Sequence, residues 1–132
     1  MTTIEPVLPD GWAPGRGYAH CVRVLDGGVT VHVAGQFGVG DDEPGDFASQ
    51  WERALGRVVE AVQAAGGQPD QVAALTVYVT DLAAYRAAGA ALGDGWRAAF
   101  GRWFPAITMV EVSGLVDPRA LVEIAAVAHL PG

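Results

Sequence analysis

The stretch Phe104-Pro105-Ala106-Ile107-Thr108-Met109-Val110-Glu111-Val112, followed by Leu121-Val122-Glu123-Ile124-Ala125-Ala126-Val127-Ala128, decides how this chain folds. Both pieces read as buried strands, yet each carries a carboxylate, Glu111 or Glu123. A charge is seldom buried without a partner or a function. Counting back from a turn near Asp117 places Glu111 roughly opposite Glu123 on one hairpin, a pairing that suits proton transfer near neutral pH. The plainer alternative is that each glutamate meets an arginine or backbone donors at a subunit contact. For Glu111 that structural alternative is the better one.

Working outward, residues 1–17 hold Pro6, Pro9, Pro14 and several glycines and read as an irregular N-terminal segment. Residues 21–25 and 29–34 are short β-rich runs split by Asp26-Gly27-Gly28, a hairpin signal. A loop rich in Gly and Asp covers 35–45. Phe47, Trp51, Ala54, Leu55, Val58, Val62 and Ala65 then recur at helical spacing, with Glu52, Arg53, Arg57 and Glu60 opposite. Gly45 or Asp46 begins this helix, and Gly66-Gly67 stops it.

Residues 72–80 alternate, with Leu75, Val77 and Val79 on one face and Thr76, Tyr78 and Thr80 on the other, the mark of a strand. A second helix is predicted over 82–103 from the stripe Leu82, Tyr85, Gly89, Leu92, Trp96 and Phe100. Asp81 is its N-cap, and Pro105 forces its exit. The order is β-β-α-β-α-β-β, a single α+β domain over 1–132 with both helices on one face of a mixed sheet. The other face also reads as apolar, rich in Ala, Val and Met, so burial in a symmetric oligomer is expected.

Composition narrows the function classes. Acidic residues number 15 against 8 basic ones, all arginine, for a net charge of -7. Nucleic-acid phosphates call for a positive patch, so they are poor partners. The absence of lysine removes Schiff-base chemistry and a P-loop phosphate contact. No apolar run spans a bilayer, and residues 1–10 lack the basic and apolar regions of an export signal. Cys21, the only cysteine, cannot form an intramolecular disulfide. A reducing cytoplasm is therefore the expected location.

Several segments, in order and spacing, resemble the Rid/YjgF family. They are Gly17-Tyr18-Ala19-His20, Val33-Ala34-Gly35-Gln36, the helix ending in Ala64-Ala65-Gly66, Val77-Tyr78-Val79-Thr80-Asp81-Leu82, Phe104-Pro105-Ala106 and Val122-Glu123-Ile124-Ala125-Ala126-Val127-Ala128. The resemblance covers about 17–129. It implies a chorismate-mutase-like fold and a homotrimer whose sheets form a central barrel, with ligand clefts between neighbouring subunits. It further implies hydrolysis of reactive enamines and imines to ketones and ammonia, without a metal or organic cofactor.

By that resemblance Glu123 falls on the glutamate that orients the attacking water, Tyr18 on a tyrosine lining the cleft, and Gly35 on the glycine of a Ser-Gly-Gln segment. Three positions depart. Ile107 stands where the Pro-Ala-Arg motif, here Pro105-Ala106-Ile107, has its carboxylate-gripping arginine. Ala34 stands where serine is usual, and Met109 where many members have cysteine. The cleft should be greasier and lack its carboxylate anchor. Arg16, Arg23 and Arg102 lie near matched segments and are candidates to replace it.

The expected function is hydrolysis or tautomerisation of an enamine or imine that lacks the usual carboxylate, and so not of 2-aminoacrylate. Glu123 would activate water, backbone N–H groups near Gly35 and Ala106 would stabilise charge, and Ala34, Ile107 and Met109 would shape the pocket. The alternative is a non-catalytic trimer binding an apolar small molecule or a protein in the same clefts. Ribonuclease activity, reported for some relatives, fits poorly with the acidic charge and the lack of a catalytic histidine pair. His20, His32 and His129 are scattered and suggest no metal site. Cys21 reads as a buried inert thiol, and Trp51, Trp96 and Trp103 as packing residues.

Overall fold

The computed structural model describes residues 4–26 and 28–132. Its elements are β1 (Ile4–Val7), β2 (Cys21–Val24), β3 (Gly28–Phe37), α1 (Phe47–Ala64), β4 (Val72–Val79), α2 (Leu82–Ala88), α3 (Ala90–Phe100), β5 (Ala106–Glu111) and β6 (Val122–Pro131). A short 3₁₀ turn, Pro69–Gln71, leads into β4. The main sheet runs β3-β6-β4-β5; β6 is antiparallel to both neighbours, and β4 and β5 are parallel.

Alternation sorts each strand's side chains between two faces. Leu75, Val77 and Val79 of β4 join Val122, Ile124, Ala126 and Ala128 of β6 in the core beneath the helices. The helix α1 supplies Phe47, Trp51, Ala54, Leu55, Val58 and Val62 from one stripe, and α3 supplies Trp96 and Phe100. Asp46 caps α1 by accepting the Ser49 N–H at 2.9 Å, and Asp81 caps α2 by accepting the Ala83 N–H at 2.9 Å.

Several expectations need correction. The N-terminal segment is not wholly irregular, because Ile4–Val7 pairs antiparallel with β2 and buries Ile4. The β2–β3 hairpin does not form: β2 pairs with β1, and β3 with β6. Gly27, part of that predicted turn, lies outside the described residues. Cys21 is exposed at the head of β2 rather than buried. The expected second helix is two, because Gly89 takes φ +57 and ψ −128 between α2 and α3. Such a backbone is open to glycine and breaks the helical hydrogen-bond run. The exit from α3 is made at Gly101, four residues before Pro105.

The closing strands are not a hairpin either, since β4 lies between β5 and β6. Glu111 is therefore not opposite Glu123. Its carboxylate accepts the Leu82 N–H at 3.0 Å and helps cap α2, so the expected backbone donor is found, but within the same chain rather than at a subunit contact. The sheet face away from the helices is mixed rather than apolar. It carries Thr30, His32, Thr76, Tyr78, Thr108 and Glu123 beside Ala125 and Val127, as the strand registers require. Met109 is on the opposite, helix-facing side, in register with Val77.

Candidate functional site

The residues expected to form a site fall into two groups on opposite faces of the sheet. Glu123 and Gly35 form the first. A bulge in β3 between Val33 and Gln36 puts one extra residue against β6, so Ala34 and Gly35 bow out of the ladder. Gly35 is pressed onto Glu123: a Cβ added there would lie 2.5 Å from the carboxylate Cδ and Oε1. Glu123 is half-buried and has no hydrogen-bond or ion-pair partner among the described residues. Its cross-strand neighbours are Phe37 on β3 and Tyr78 on β4. Ala34 lies further along this face, in a shallow hollow with His32, Thr76 and Ala125.

Gln50 supports this group from behind. It is fully buried on α1, donates to the carbonyls of Gly45 and Arg119 at 3.2 and 3.1 Å, and accepts the Leu121 N–H at 2.8 Å. These bonds fasten α1 to the start of β6, two residues before Glu123. Just upstream, the Arg119 side chain donates to Asp117, and that hydrogen bond holds the Asp117 carboxyl below its usual range.

Tyr18, Ile107 and Met109 form the second group. They line a cavity of about 480 Å³ on the helix side of β5, walled by Trp51, Tyr85, Leu92, Trp96 and Phe104, with Arg16 and Arg97 also lining it. The aromatic wall is ordered: Trp96 stacks on Phe104 at 5.6 Å between ring centroids, and Tyr85 meets Trp51 edge-on at 6.3 Å. Both indole N–H groups are engaged elsewhere, Trp51 with the Leu92 carbonyl at 3.1 Å and Trp96 with the Trp103 carbonyl at 3.0 Å. What the rings offer a ligand is apolar surface.

Ala106 belongs to neither group. It bridges Ala19, whose N–H donates to the Pro105 carbonyl at 2.9 Å, and so ties the 16–19 loop to the start of β5. Trp103 packs, its indole N–H donating to the Val72 carbonyl at 2.9 Å.

Of the three arginines near matched segments, only Arg16 reaches this cavity. Arg23 pairs with Glu5 at 3.2 Å on the β1–β2 ribbon, and Arg102 lines a separate hollow beside Trp103. Sequence reasoning did not single out Arg97, Tyr78 or Gln50. Tyr78 was signalled by the alternation of β4, whereas Gln50 was hidden within an apolar helix stripe.

The pattern of known proteins agrees with this architecture. Residues 12–130 match the family described as Endoribonuclease L-PSP. The Rid-family protein YyfB of Yersinia pestis, of unknown function, superposes with a TM-score of 0.82 at 29% identity, over 97% of this chain and 99% of that one. Rv2704 of Mycobacterium tuberculosis, a member of the YjgF/YER057c/UK114 family, is 38% identical with a TM-score of 0.65, covering 86% and 87%. The YjgF protein of E. coli is 29% identical with a TM-score of 0.66, covering 89% and 92%. This α+β chain belongs to the Rid/YjgF family. Among its described residues no helix is long and apolar enough to cross a membrane.

Proposed function

We propose that the protein hydrolyses an enamine or imine with a bulky apolar body. Glu123 handles the water, and the cavity beside Ile107 and Met109 holds the rest of the substrate. The observation that carries this reading is the half-buried Glu123 carboxylate, held against the Gly35 backbone and without a partner among the described residues. An enamine is first protonated on carbon by solvent, which gives the iminium ion. Glu123 then takes a proton from water as the oxygen adds to the iminium carbon. Returning that proton to nitrogen lets the carbinolamine collapse to a ketone and ammonia, and the hydroxyl proton released in the collapse replaces the one first taken from solvent. The whole reaction consumes one water per imine and needs no redox partner.

Ile107 in the place of the family's arginine is the reason to expect poor turnover of 2-aminoacrylate. Losing a charged partner for a sheltered carboxylate costs on the order of 2–5 kcal/mol, a few powers of ten in rate. The cavity is also large for a three-carbon substrate, falling within the roughly 300–1,000 Å³ usual for drug-sized ligands.

Within one chain Glu123 and Ile107 face opposite sides of the sheet, which supports a site completed between copies. A homotrimer that sets one subunit's Glu123 against the next subunit's cavity is the assembly we propose. The family's description as an endoribonuclease is not carried over, because the chain's net charge is -7 and it offers phosphate little attraction.

Ammonia release from freshly generated imines, compared between wild type and Glu123→Gln, tests the reading. Turnover should fall by at least about a hundredfold in the variant, with assembly unchanged. Equal turnover would overturn the role of Glu123. No release from any imine would favour a binding protein.

A further inference from the structure

The cavity beside β5 combines an aromatic wall with Arg16, a cation without a partner among the described residues, and the Rid-type reading does not use that pairing. Net charge is -7, and most arginines are already engaged. Arg23, Arg97 and Arg119 sit in ion pairs with Glu5, Asp94 and Asp117, at 3.2, 2.6 and 2.9 Å. Arg53 donates to the Gly38 carbonyl at 3.1 Å, and Arg57 to the Gln36 side chain at 3.3 Å. Arg16 has no such partner among the described residues, yet it lines the cavity.

Its placement is built into the backbone. A Cβ on Gly15 would lie 2.5 Å from the Tyr18 carbonyl oxygen, and Gly17 takes φ +77. The turn therefore closes tightly over Tyr18, and the Ala19–Pro105 hydrogen bond fixes it beside β5. On the strand itself Ile107 and Met109 offer no charge, so any anion entering the cavity has its free guanidinium on the loop instead.

We propose that this cavity binds small amphiphilic carboxylates, with an aryl or branched-alkyl body against Trp51, Trp96 and Phe104 and the carboxylate on Arg16. The inference rests on taking this cavity as the substrate cavity, and it names the substrate class: imines or enamines whose carboxylate is separated from the reacting carbon by an apolar body. Arg16 is the specificity-determining residue. Arg97, held by Asp94, contributes less.

Calorimetric titration with 3-phenylpropionate, its neutral amide and propionate, against wild type, Arg16→Gln and Arg97→Gln, tests this. The aryl acid should bind wild type more tightly than propionate. Arg16→Gln should weaken the acid about tenfold and leave the amide unchanged. Added salt should weaken the acid and spare the amide.

The proposal is overturned if the acid and amide respond alike to Arg16→Gln, if propionate binds as well as the aryl acid, or if only Arg97→Gln removes acid binding. No measurable binding of the aryl acid to wild type also overturns it. Titration needs no turnover, so the two readings fail separately. Binding through Arg16 without ammonia release from any imine upholds carboxylate binding in this cavity and refutes hydrolysis, with the imine substrate class that rests on it. Imine turnover with binding indifferent to Arg16→Gln refutes this proposal alone.

Discussion

Gly35 and Glu123 are in such close approach that the backbone of one limits where the carboxylate of the other can lie. A Cβ on Gly35 would sit 2.5 Å from both Cδ and Oε1 of Glu123. The bulge of β3 brings the two together, and no side chain larger than hydrogen fits between them without moving the carboxylate.

Gly35→Ala should therefore separate catalysis from stability. Glu123 is the flexible partner and can swing aside, so the melting temperature should change by only a few degrees. Ammonia release should fall about tenfold or more as the carboxylate leaves its position. Thermal unfolding and turnover, measured on the same preparation, check the pair of outcomes.

Gln50→Leu should cost stability on the order of 2–3 kcal/mol. The substitution nearly preserves volume but leaves the Leu121 N–H and the carbonyls of Gly45 and Arg119 without their partner in a buried site. Urea denaturation gives the value. A loss of only a few tenths of a kcal/mol would mean that water replaces the amide.

Asp46 should give stability an acid limb. The Ser49 backbone N–H bound to its carboxylate lowers its pKa from the ordinary 3.8. A group depressed in the folded state stabilises the fold above its unfolded pKa and loses that contribution as pH falls through the folded value. Asp46→Ala should be less stable than wild type at neutral pH, and the difference should shrink as the pH drops below about 4. Denaturation midpoints of both proteins across that range test the sign.

The face opposite the helices bears on assembly. If it packs against copies of itself, wild type should sediment as three chains, and Ala125→Arg, in the middle of that face, should release smaller species. Analytical ultracentrifugation distinguishes these outcomes. A monomeric wild type would leave Glu123 and the cavity separated by the sheet.

Much of this architecture was legible where the signals were local. The α1 stripe from Phe47 to Val62, the alternation of β4 and the cap at Asp81 stand as expected, and of the two starts open for α1, Gly45 and Asp46, the cap is Asp46. Strand pairing was not. Residues 107–112 and 121–129 are neighbours in sequence with a turn between them, so a hairpin is the natural expectation, but β4 inserts between them. Nothing local announces a parallel β4–β5 pair, whose stabilising contacts span a helix pair. The same non-local step separates Glu123 from Ile107 and moves Met109 beneath the helices. Gly89 was counted within an apolar stripe because spacing does not reveal backbone handedness. The closeness of Gly35 to Glu123 and of Arg16 to the aromatic wall arises only once the sheet is assembled.

The most direct measurement is ammonia release from 2-aminoacrylate and from an apolar-bodied imine, by wild type and by Ile107→Arg. Wild type should turn over the apolar imine and scarcely touch aminoacrylate. Ile107→Arg should gain about tenfold or more on aminoacrylate, because an arginine at 107 would offer its carboxylate a bidentate contact. Brisk wild-type turnover of aminoacrylate, unchanged by the substitution, would contradict the claim that Ile107 redirects the site.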